Sequence, residues 1–212
     1  MTTAPDARYY ELFFLWIHDP AKFARYGELV GPVVTPYGNR IDRQIRPTSI
    51  AGEGIEQPDI VNLASSPSLA RLQQFERDPR FQEIVHLRSE SIDLGAVTGP
   101  ARRYDPGPGD AAQRLYLVEL ARFGDGGEAA YRAYEKESEP VMARYGYRVE
   151  AEIVVRTSSH LPFVPDIAKV AYFDAPDGMD RMHGDPMHDR IENVLYPAAT
   201  RDSLWILGRA PS

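Results

Sequence analysis

YGELVGPVVTPYGNRIDRQI, residues 26–45, returns in a diverged form as YEKESEPVMARYGYRVEAEI, residues 134–153. The two copies share these residues at an offset of 108: Tyr26 and Tyr134, Pro32 and Pro140, Val33 and Val141, Tyr37 and Tyr145, Gly38 and Gly146, Arg40 and Arg148, Ile45 and Ile153. Further matches follow at an offset of 107: Pro58-Asp59-Ile60 and Pro165-Asp166-Ile167, Asp78-Pro79 and Asp185-Pro186, Ile84 and Ile191. Because the matches keep one order and nearly one spacing, the sequence indicates a tandem duplication.

The composition is that of an ordinary globular protein. The chain has 212 residues, of which 43% are hydrophobic, a formal net charge of −7 and no cysteine. The acidic balance argues against nucleic acid or an anionic membrane as a partner, and no apolar run reaches the roughly 18 residues that span a bilayer. The first residues lack a signal-peptide pattern, so we expect a cytoplasmic protein without disulfides. The expected partner is a small-molecule substrate, with a homodimer as one possible assembly.

The pattern of apolar residues predicts the same order of elements in each half. Asp19 and Pro20, for example, are suited to the N-cap and the first residue of a helix that follows a strand rich in aromatic residues. The predicted strands are 9–17, 40–46, 59–64 and 91–97 in the first half and 114–122, 148–156, 167–173 and 203–207 in the second. Helices are predicted between them, so that each half reads β-α-β-β-α-β, the ferredoxin-like arrangement.

A stretch rich in proline and glycine, GPARRYDPGPGD at residues 99–110, separates the halves and predicts an unpacked linker. The predicted domains are residues 8–98 and 112–209, joined by residues 99–111. A four-stranded sheet of this kind carries helices on one face only, and the second copy can cover the other face. The predicted fold class is α+β, with two tandem ferredoxin-like halves forming an intramolecular pseudo-dimeric α/β barrel.

Three short motifs support a resemblance to a known family. They are Tyr37-Gly38, Pro58-Asp59 and the segment Asp78-Pro79-Arg80-Phe81-Gln82-Glu83-Ile84. With these motifs the chain resembles the dimeric α/β-barrel superfamily and, within it, a small family of unknown function; NIPSNAP-like proteins are a second possible kinship. The resemblance implies the barrel fold. It implies no single function, because relatives include cofactor-free oxygenases, isomerases, heme proteins and binding proteins.

Two pairs of acidic residues lie at matching positions of the two copies: Glu11 with Glu119, and Asp42 with Glu150. Glu11 and Glu119 lie in the middle of apolar strands, where an ionised carboxylate is costly unless it is paired. A buried carboxylate with a raised pKa is a good general base, and we therefore take both as candidate catalytic residues. The structural alternative is an ion pair with an arginine of a neighbouring strand, such as Arg43 or Arg46, or exposure to a wet interior.

The five histidines are not repeated between the halves, so the shared fold does not require them: His18, His86, His160, His183 and His188. His18 ends the first strand before a helix, where an imidazole could abstract a proton; a surface residue is equally consistent. His86 is a catalytic candidate and also fits an ordinary amphipathic helix. His160 lies in a loop of a type that often carries function. His183 and His188 are five residues apart, about 140° around a helix, and no metal site is predicted.

The sequence favours a cofactor-independent enzyme. It would act on a small hydrophobic metabolite with a carbonyl or phenol group, using proton abstraction for oxygenation, cyclisation or isomerisation. The candidate substrate-binding residues are Tyr37, Phe14, Trp16, Asp42, Arg43 and His160, although the repetition of Tyr37 as Tyr145 favours packing. One alternative is a non-catalytic small-molecule-binding or stress-type protein. The other is a heme-binding barrel enzyme, with His86 or His188 as proximal ligand. Nucleotide-binding and serine hydrolase motifs are absent from the sequence.

Overall fold

The computed structural model describes residues 8–211, and within them the chain forms nine strands and seven α-helices. The first half contains β1 Tyr9–Ile17, α1 Pro20–Val34, β2 Arg40–Ala51, β3 Ile60–Ser66, α2 Leu69–Glu76, α3 Pro79–Ser89 and β4 Ile92–Tyr104. The second contains β5 Leu115–Phe123, α4 Gly127–Ala143, β6 Tyr147–Val154, β7 Thr157–Ser159, β8 Ile167–Phe173, α5 Gly178–His183, α6 Pro186–Arg190, α7 Tyr196–Ala199 and β9 Thr200–Arg209. None of the helices in residues 8–211 is long and apolar enough to cross a membrane.

Local sequence determines where the first helix begins and where the chain turns after it. The side chain of Asp19 accepts a hydrogen bond from Lys22 N at 2.9 Å, and Pro20 occupies the first helical position. A short 3₁₀ turn follows α1 and ends at Gly38, whose φ of 72° is a left-handed conformation that favours glycine. Gly146 in the second copy has a φ of 83°. The repeated glycine thus serves the same turn twice.

Eight strands pair into a closed antiparallel ring. The order is β1-β3-β2-β9-β5-β8-β6-β4, and β4 pairs back with β1; the short β7 pairs with residues 96–98 in the middle of β4. The first strand of each half lies between two later strands of the same half: β1 lies between β3 and β4, and β5 lies between β8 and β9. The seams between the halves are the pairs β2–β9 and β4–β6. The ring closes within one chain, so each of these eight strands has a hydrogen-bonded neighbour on both sides along part of its length.

The path of β4 corrects the predicted linker. Residues Gly99–Tyr104, predicted to be unpacked, are the second part of β4, and Ala101–Tyr104 pair with β6. Gly99 permits this because a Cβ there would lie 2.0 Å from the carbonyl oxygen of Val154, too close for any other residue. The proline- and glycine-rich loop is therefore confined to residues 105–110. The division of the chain into two domains stays a prediction.

The barrel interior is filled by side chains. The large residues that are fully buried include Tyr116, Tyr172, Phe14, Leu12, Ile45, Leu63, Leu120, Ile153 and Leu204. They form one cluster to which strands of both halves contribute. Helices cover the outer faces: α1, α2 and α3 form a cluster in the first half, and helices α4 to α7 cover the second. The interior is thus packed by side chains of both halves, and the spaces between sheet and helices are the next place to look for a binding site.

Equivalent contacts recur at the repeated residues. The hydroxyl of Tyr37 donates to Asp78 at 2.8 Å, and the hydroxyl of Tyr145 donates to Asp185 at the same distance. Both aspartates also cap the helix that follows them. The side chain of Asp59 accepts from a backbone amide of β1 at 2.6 Å, as that of Asp166 does from β5 at 2.8 Å.

The predicted equivalence of Glu11 and Glu119 is wrong, because the strand register is shifted. Leu12 pairs with Leu63 in the first half, and the matching pair in the second half is Val118 with Val170. On the first strand of each half the structural offset is therefore 106 rather than 108. Glu119 takes the place of Phe13. Asp42 and Glu150, by contrast, both lie at a β-bulge of the second strand, where the pairing register shifts.

Candidate functional site

A cavity of about 380 Å³ lies between the outer face of the first-half sheet and the helices α1, α2 and α3. Its walls are mostly apolar and include Phe13, Leu15, Phe23, Val30, Val34, Leu72, Phe75, Phe81, Ile92 and Leu94. The polar side chains at the wall include Glu11, Tyr26, Asn62, Glu76 and Arg88. A concave apolar space with a few polar groups is the usual form of a small-molecule site, and its volume falls at the low end of the range for such sites.

Glu11 presents a half-buried carboxyl group to this cavity from the middle of β1. Burial raises the pKa of Glu11 to about 7, and the neighbouring carboxylate of Glu76 adds to the increase, while Arg88 opposes it. Each cause is physical: an apolar environment disfavours the ionised form, and a second negative charge disfavours it further. Glu11 therefore changes protonation state near neutral pH, as a general acid or base must.

Arg88 brings a positive charge to the cavity from the last turn of α3; Arg40, the other arginine at the wall, is paired with Asp42. Arg88 is half-buried, and its guanidinium lies 5.7 Å from the centre of the Phe81 ring. Its positive charge lowers the pKa of the Tyr26 hydroxyl, against the larger effect of burial. Burial raises the pKa of Tyr26, which is thus a neutral donor at ordinary pH. Within residues 8–211, no carboxylate oxygen lies within 4.0 Å of the Arg88 nitrogens. The guanidinium is thus available to an anionic group in the cavity.

The corresponding space in the second half is filled. Tyr131 and Tyr134 stand where the first half has Phe23 and Tyr26, and both are buried. Glu119 accepts hydrogen bonds from the hydroxyls of Tyr131 at 2.8 Å and Tyr196 at 3.0 Å. The two halves thus use the same location differently, with a cavity in one and a packed polar network in the other.

Lys169 completes this network at the position that Asn62 occupies in the first half. Its ammonium group lies 3.8 Å from Glu119 and in close contact with Glu135. Burial alone would raise the pKa of Glu135, but Lys169 and Arg132 lower it overall. The carboxylate of Glu119 is fully partnered, which matches the structural alternative of an ion pair, with a lysine in place of an arginine.

Three of the predicted histidines lie away from the cavity. His18 follows the end of β1, His86 lies on α3 and His160 lies in the loop after β7, and all three are exposed. His160 has a φ of 52°, an uncommon conformation for a non-glycine residue. None of the chain's five histidines, all of which fall within residues 8–211, is among the residues that line the cavity.

The other predicted binding residues are also spread over the barrel. Phe14 is buried in the packed interior, and Trp16 packs against the edge of that cluster, where its indole N–H donates to the Glu56 carbonyl at 3.1 Å. The hydroxyl of Tyr37 is engaged by Asp78. At the bulges, Arg43 donates to the buried Glu150 at 2.9 Å, and Asp42 accepts from Arg40 at 2.6 Å. Of the predicted site residues, the cavity brings in Glu11.

Sequence reasoning missed Arg88 and assigned Tyr26 to packing because Tyr134 repeats it. A usable signal was present for Arg88, since the residue 107 positions later is the apolar Leu195. A charged residue in one copy and an apolar residue in the other is the kind of difference that a single-copy site produces. For Tyr26 the sequence held no such signal, because the same residue lines a cavity in one half and packs in the other.

His183, His188 and Glu192 form a second cluster, on the helical cover of the second half. One ligand atom from each lies within 4.8 Å of the others. This corrects the predicted separation of the two histidines, which assumed one continuous helix. The helix breaks at Gly184, between α5 and α6, and the rings come to 5.2 Å between centres. Burial lowers the pKa of His188.

Comparisons with known proteins agree with this architecture. Residues 9–98 match the profile of a domain of unknown function, DUF1330. A search of curated proteins finds no significant match. Among solved structures, an anthrone oxidase-like protein covers 100% of this chain and 94% of its own at 10% identity, with a TM-score of 0.62.

Two further structures are similar over nearly the whole chain. A mutant chlorite dismutase from Candidatus Nitrospira defluvii has a TM-score of 0.64 and 10% identity, and covers 99% of this chain and 92% of its own. A candidate monooxygenase from Lactobacillus acidophilus NCFM has a TM-score of 0.55 and 10% identity, and covers 97% of this chain and 94% of its own. At such low identity these structures bear on the fold alone. The chain has the dimeric α/β-barrel fold, and its first half matches the DUF1330 profile.

Proposed function

We propose that the first-half cavity binds a small hydrophobic molecule with a carbonyl or phenol group and that Glu11 exchanges a proton with it. The single observation that carries this proposal is a carboxyl group with a pKa raised to about 7 on the wall of an apolar cavity of about 380 Å³. A base whose pKa lies near the operating pH is the most effective for proton transfer at that pH. The names of two similar structures, an anthrone oxidase-like protein and a candidate monooxygenase, favour an oxidative reaction.

The proton is removed from an acidic C–H next to a carbonyl group or from a phenol O–H. The C–H or O–H bond breaks, the proton passes to the Glu11 carboxylate, and the electron pair stays on the substrate as an enolate or phenolate. Arg88, with no carboxylate partner in residues 8–211, stabilises the negative oxygen, and the Tyr26 hydroxyl can donate a second hydrogen bond. Return of the proton at another carbon gives isomerisation. Reaction of the enolate with molecular oxygen as co-substrate gives oxygenation.

Binding without catalysis is the second candidate, and the placement of His18 favours it. His18 was the other proposed base, and it is exposed and does not line the cavity. An apolar cavity with the Arg88 guanidinium at its wall is also sufficient to hold an anionic or phenolic ligand. The two candidates differ in one measurable respect: a binding protein shows no turnover and does not need Glu11 for affinity.

A heme group does not fit the cavity. His86 is exposed on α3, and His188 is buried beside His183 and Glu192 in the other half. Neither is placed to give an axial ligand to a group in the first-half cavity. An absorbance spectrum of the purified protein, without a Soret band, is the expected result.

The experiment is a fragment screen followed by matched variants. Phenols and small aryl ketones are screened by ligand-observed NMR, and bound compounds are tested for deuterium exchange at the acidic C–H and for oxygen uptake. We expect Glu11→Gln to keep binding within about threefold and to lower the exchange or turnover rate by at least about 100-fold. Glu83→Gln changes an exposed carboxylate on α3 and is the control; this variant should behave as wild type.

Arg88→Met is the second informative variant because it removes the charge and keeps a long apolar side chain. It should weaken binding of phenolates and carboxylates more than binding of neutral ketones. Equal turnover in wild type and Glu11→Gln would contradict the proposed role of Glu11, and binding without exchange or turnover in the wild type would leave the binding candidate. Binding that is insensitive to both variants would place the ligand outside this cavity.

We also infer that the two halves are copies of one ferredoxin-like unit, with residues 8–98 and 112–209 as its two versions. The paired tyrosine–aspartate contacts, the repeated bulges and the left-handed glycines support this inference. Kinship with NIPSNAP-like proteins and a homodimer stay predictions.

A further inference from the structure

The cluster of His183, His188 and Glu192 lies at breaks in the helical cover of the second half. α5 ends at His183, Asp185 caps α6, and a π-helical turn, Ile191–Leu195, follows α6. These breaks bring side chains from three short segments to one point. A continuous helix would place the two histidines on different faces.

The ligand atoms are close to the spacing that a metal ion needs. One atom from each residue lies within 4.8 Å of the other two, and His188 Nδ1 is 3.7 Å from a carboxylate oxygen of Glu192. Zinc–nitrogen and zinc–oxygen distances of about 2.0–2.2 Å put ligand atoms roughly 3–4 Å apart in a tetrahedral site. His183 and Glu192 are exposed, so their side chains can rotate to close the remaining difference.

His188 provides the second, independent observation. Its side chain is 8% exposed, and its Nδ1 has no hydrogen-bond partner among the described residues. A buried polar atom without a partner is costly, and native structures contain few of them. The unpartnered nitrogen lies 3.7 Å from a carboxylate oxygen of Glu192, and a cation bound between these two atoms would give it a partner.

We propose that His183, His188 and Glu192 bind a divalent transition-metal ion of the Zn²⁺ type. Two imidazoles and one carboxylate are ligands that Zn²⁺ accepts, and a water molecule would complete a four-coordinate site. Mg²⁺ and Ca²⁺ prefer all-oxygen sites and should bind poorly. The ion would connect α5, α6 and the π-helical turn and so stabilise the helical cover of the second half. This proposal does not depend on the function of the first-half cavity.

The test is a Zn²⁺ titration of the full chain, without an affinity tag, by isothermal titration calorimetry. The expected result is one saturable site per chain. His183→Ala and Glu192→Gln should each raise the dissociation constant at least about tenfold. Both positions are exposed, so the fold should tolerate the changes. His86→Ala is the matched control, because it removes an exposed histidine outside the cluster and should leave binding unchanged.

Two further readouts separate a built site from loose surface binding. Co²⁺ should give the visible absorption of a four-coordinate ion in the wild type and lose it in His183→Ala. At a free Zn²⁺ concentration of 100 times the wild-type dissociation constant, Tm should rise by about 5–10 °C in the wild type and by about half of that or less in the variants. The proposal is overturned if no saturable site is found, or if His183→Ala and Glu192→Gln bind as tightly as wild type.

Discussion

Glu11 and Glu119 show how the surroundings of one residue type decide its use. Both carboxylates project from a first strand toward covering helices, but Glu119 meets two tyrosine hydroxyls and Lys169, whereas Glu11 faces a cavity. A buried carboxylate with partners costs the fold much less than an unpartnered one in an apolar wall, which is destabilising unless it is protonated. A functional role would explain why the protein keeps a destabilising carboxyl group at Glu11.

The raised pKa of Glu11 predicts a dependence of stability on pH. The folded state binds this proton up to about pH 7, and the unfolded chain loses it near 4.5. Between these values the folded state holds more protons, so its free energy of unfolding falls as pH rises. Glu11→Gln should therefore stabilise the protein more at pH 8 than at pH 5, with urea unfolding as the measurement. A gain that does not change with pH would contradict the raised pKa.

Lys169 should be among the most sensitive residues of the second half. Lys169→Met leaves the buried carboxylates of Glu119 and Glu135 without their common cation, and we expect a loss of about 3–5 kcal/mol in the free energy of unfolding. Lys136→Met, an exposed lysine on α4, is the control and should change stability by less than about 0.5 kcal/mol. A loss below about 1 kcal/mol at Lys169 would mean that this network does not stabilise the fold.

At the scale of single residues, the sequence predicted Glu11 but not its partners in the cavity. A carboxylate among apolar strand residues is visible in a sequence, because it breaks the pattern of its own element. Arg88 lies on an amphipathic helix, where arginine is ordinary, and only the three-dimensional packing shows that its guanidinium faces a cavity. His18 shows the converse error, since an unrepeated histidine at a strand end proved to be exposed.

Among the elements, the corner between the first helix and the later helices is built twice from one tyrosine and one aspartate. In each half a tyrosine hydroxyl binds an aspartate that also caps a helix. The hydrogen bonds of Arg80 and Tyr37 lower the pKa of Asp78, so this carboxylate stays ionised at neutral pH. The repeated motif is thus a structural joint rather than a site.

Tyr37→Phe and Tyr145→Phe should each lower the free energy of unfolding, and by similar amounts, because each removes one hydrogen bond to a charged carboxylate. Tyr104→Phe is the control, since its hydroxyl makes only a long contact of 3.5 Å to Asp42 and should cost less. Urea unfolding at pH 7 measures all three. A clear difference between the two tyrosines would contradict the equivalence of the corners.

The helical cover of the second half was predictable in outline only. The sequence predicts helical segments over residues 177–195, and the structure divides this region into α5, α6 and a π-helical turn before α7. Gly184, Asp185 and Pro186 mark the first break. The consequence for His183 and His188 could not be read from their spacing, because it depends on the angle between two short helices.

For the whole molecule, glycines at both seams let one half pair with the other. A Cβ on Gly99 would lie 2.0 Å from a carbonyl oxygen of β6, and one on Gly208 would lie 2.5 Å from a carbonyl oxygen of β2. Gly99→Ala should therefore lower the free energy of unfolding by at least about 2 kcal/mol. Gly27→Ala, on the exposed side of α1 with no atom within 4 Å, should instead stabilise by about 0.5–1 kcal/mol. Equal effects at the two positions in thermal or urea unfolding would contradict the close seam.

The barrel could be predicted because the repeated motifs predict two similar sheets in one chain. A sheet with helices on one face only has an uncovered face, and the second sheet of the same chain can cover it. The path of β4 through a stretch rich in glycine and proline could not be predicted, because these residue types usually end a strand. Here Gly99 instead allows β4 to approach β6 closely. Nor does composition reveal which half keeps a cavity, because that depends on the volumes of side chains from several elements.

The most direct test of the central claim is the titration of Glu11 itself, followed by ¹³C NMR of the side-chain carboxyl groups and assigned with Glu11→Gln. A cavity that uses this residue for proton transfer requires a pKa of about 7 in the free protein. A bound phenol should shift that titration, and the Glu83 signal should not respond. A Glu11 that titrates near the ordinary value of about 4.3 and does not respond to any bound ligand would contradict the account.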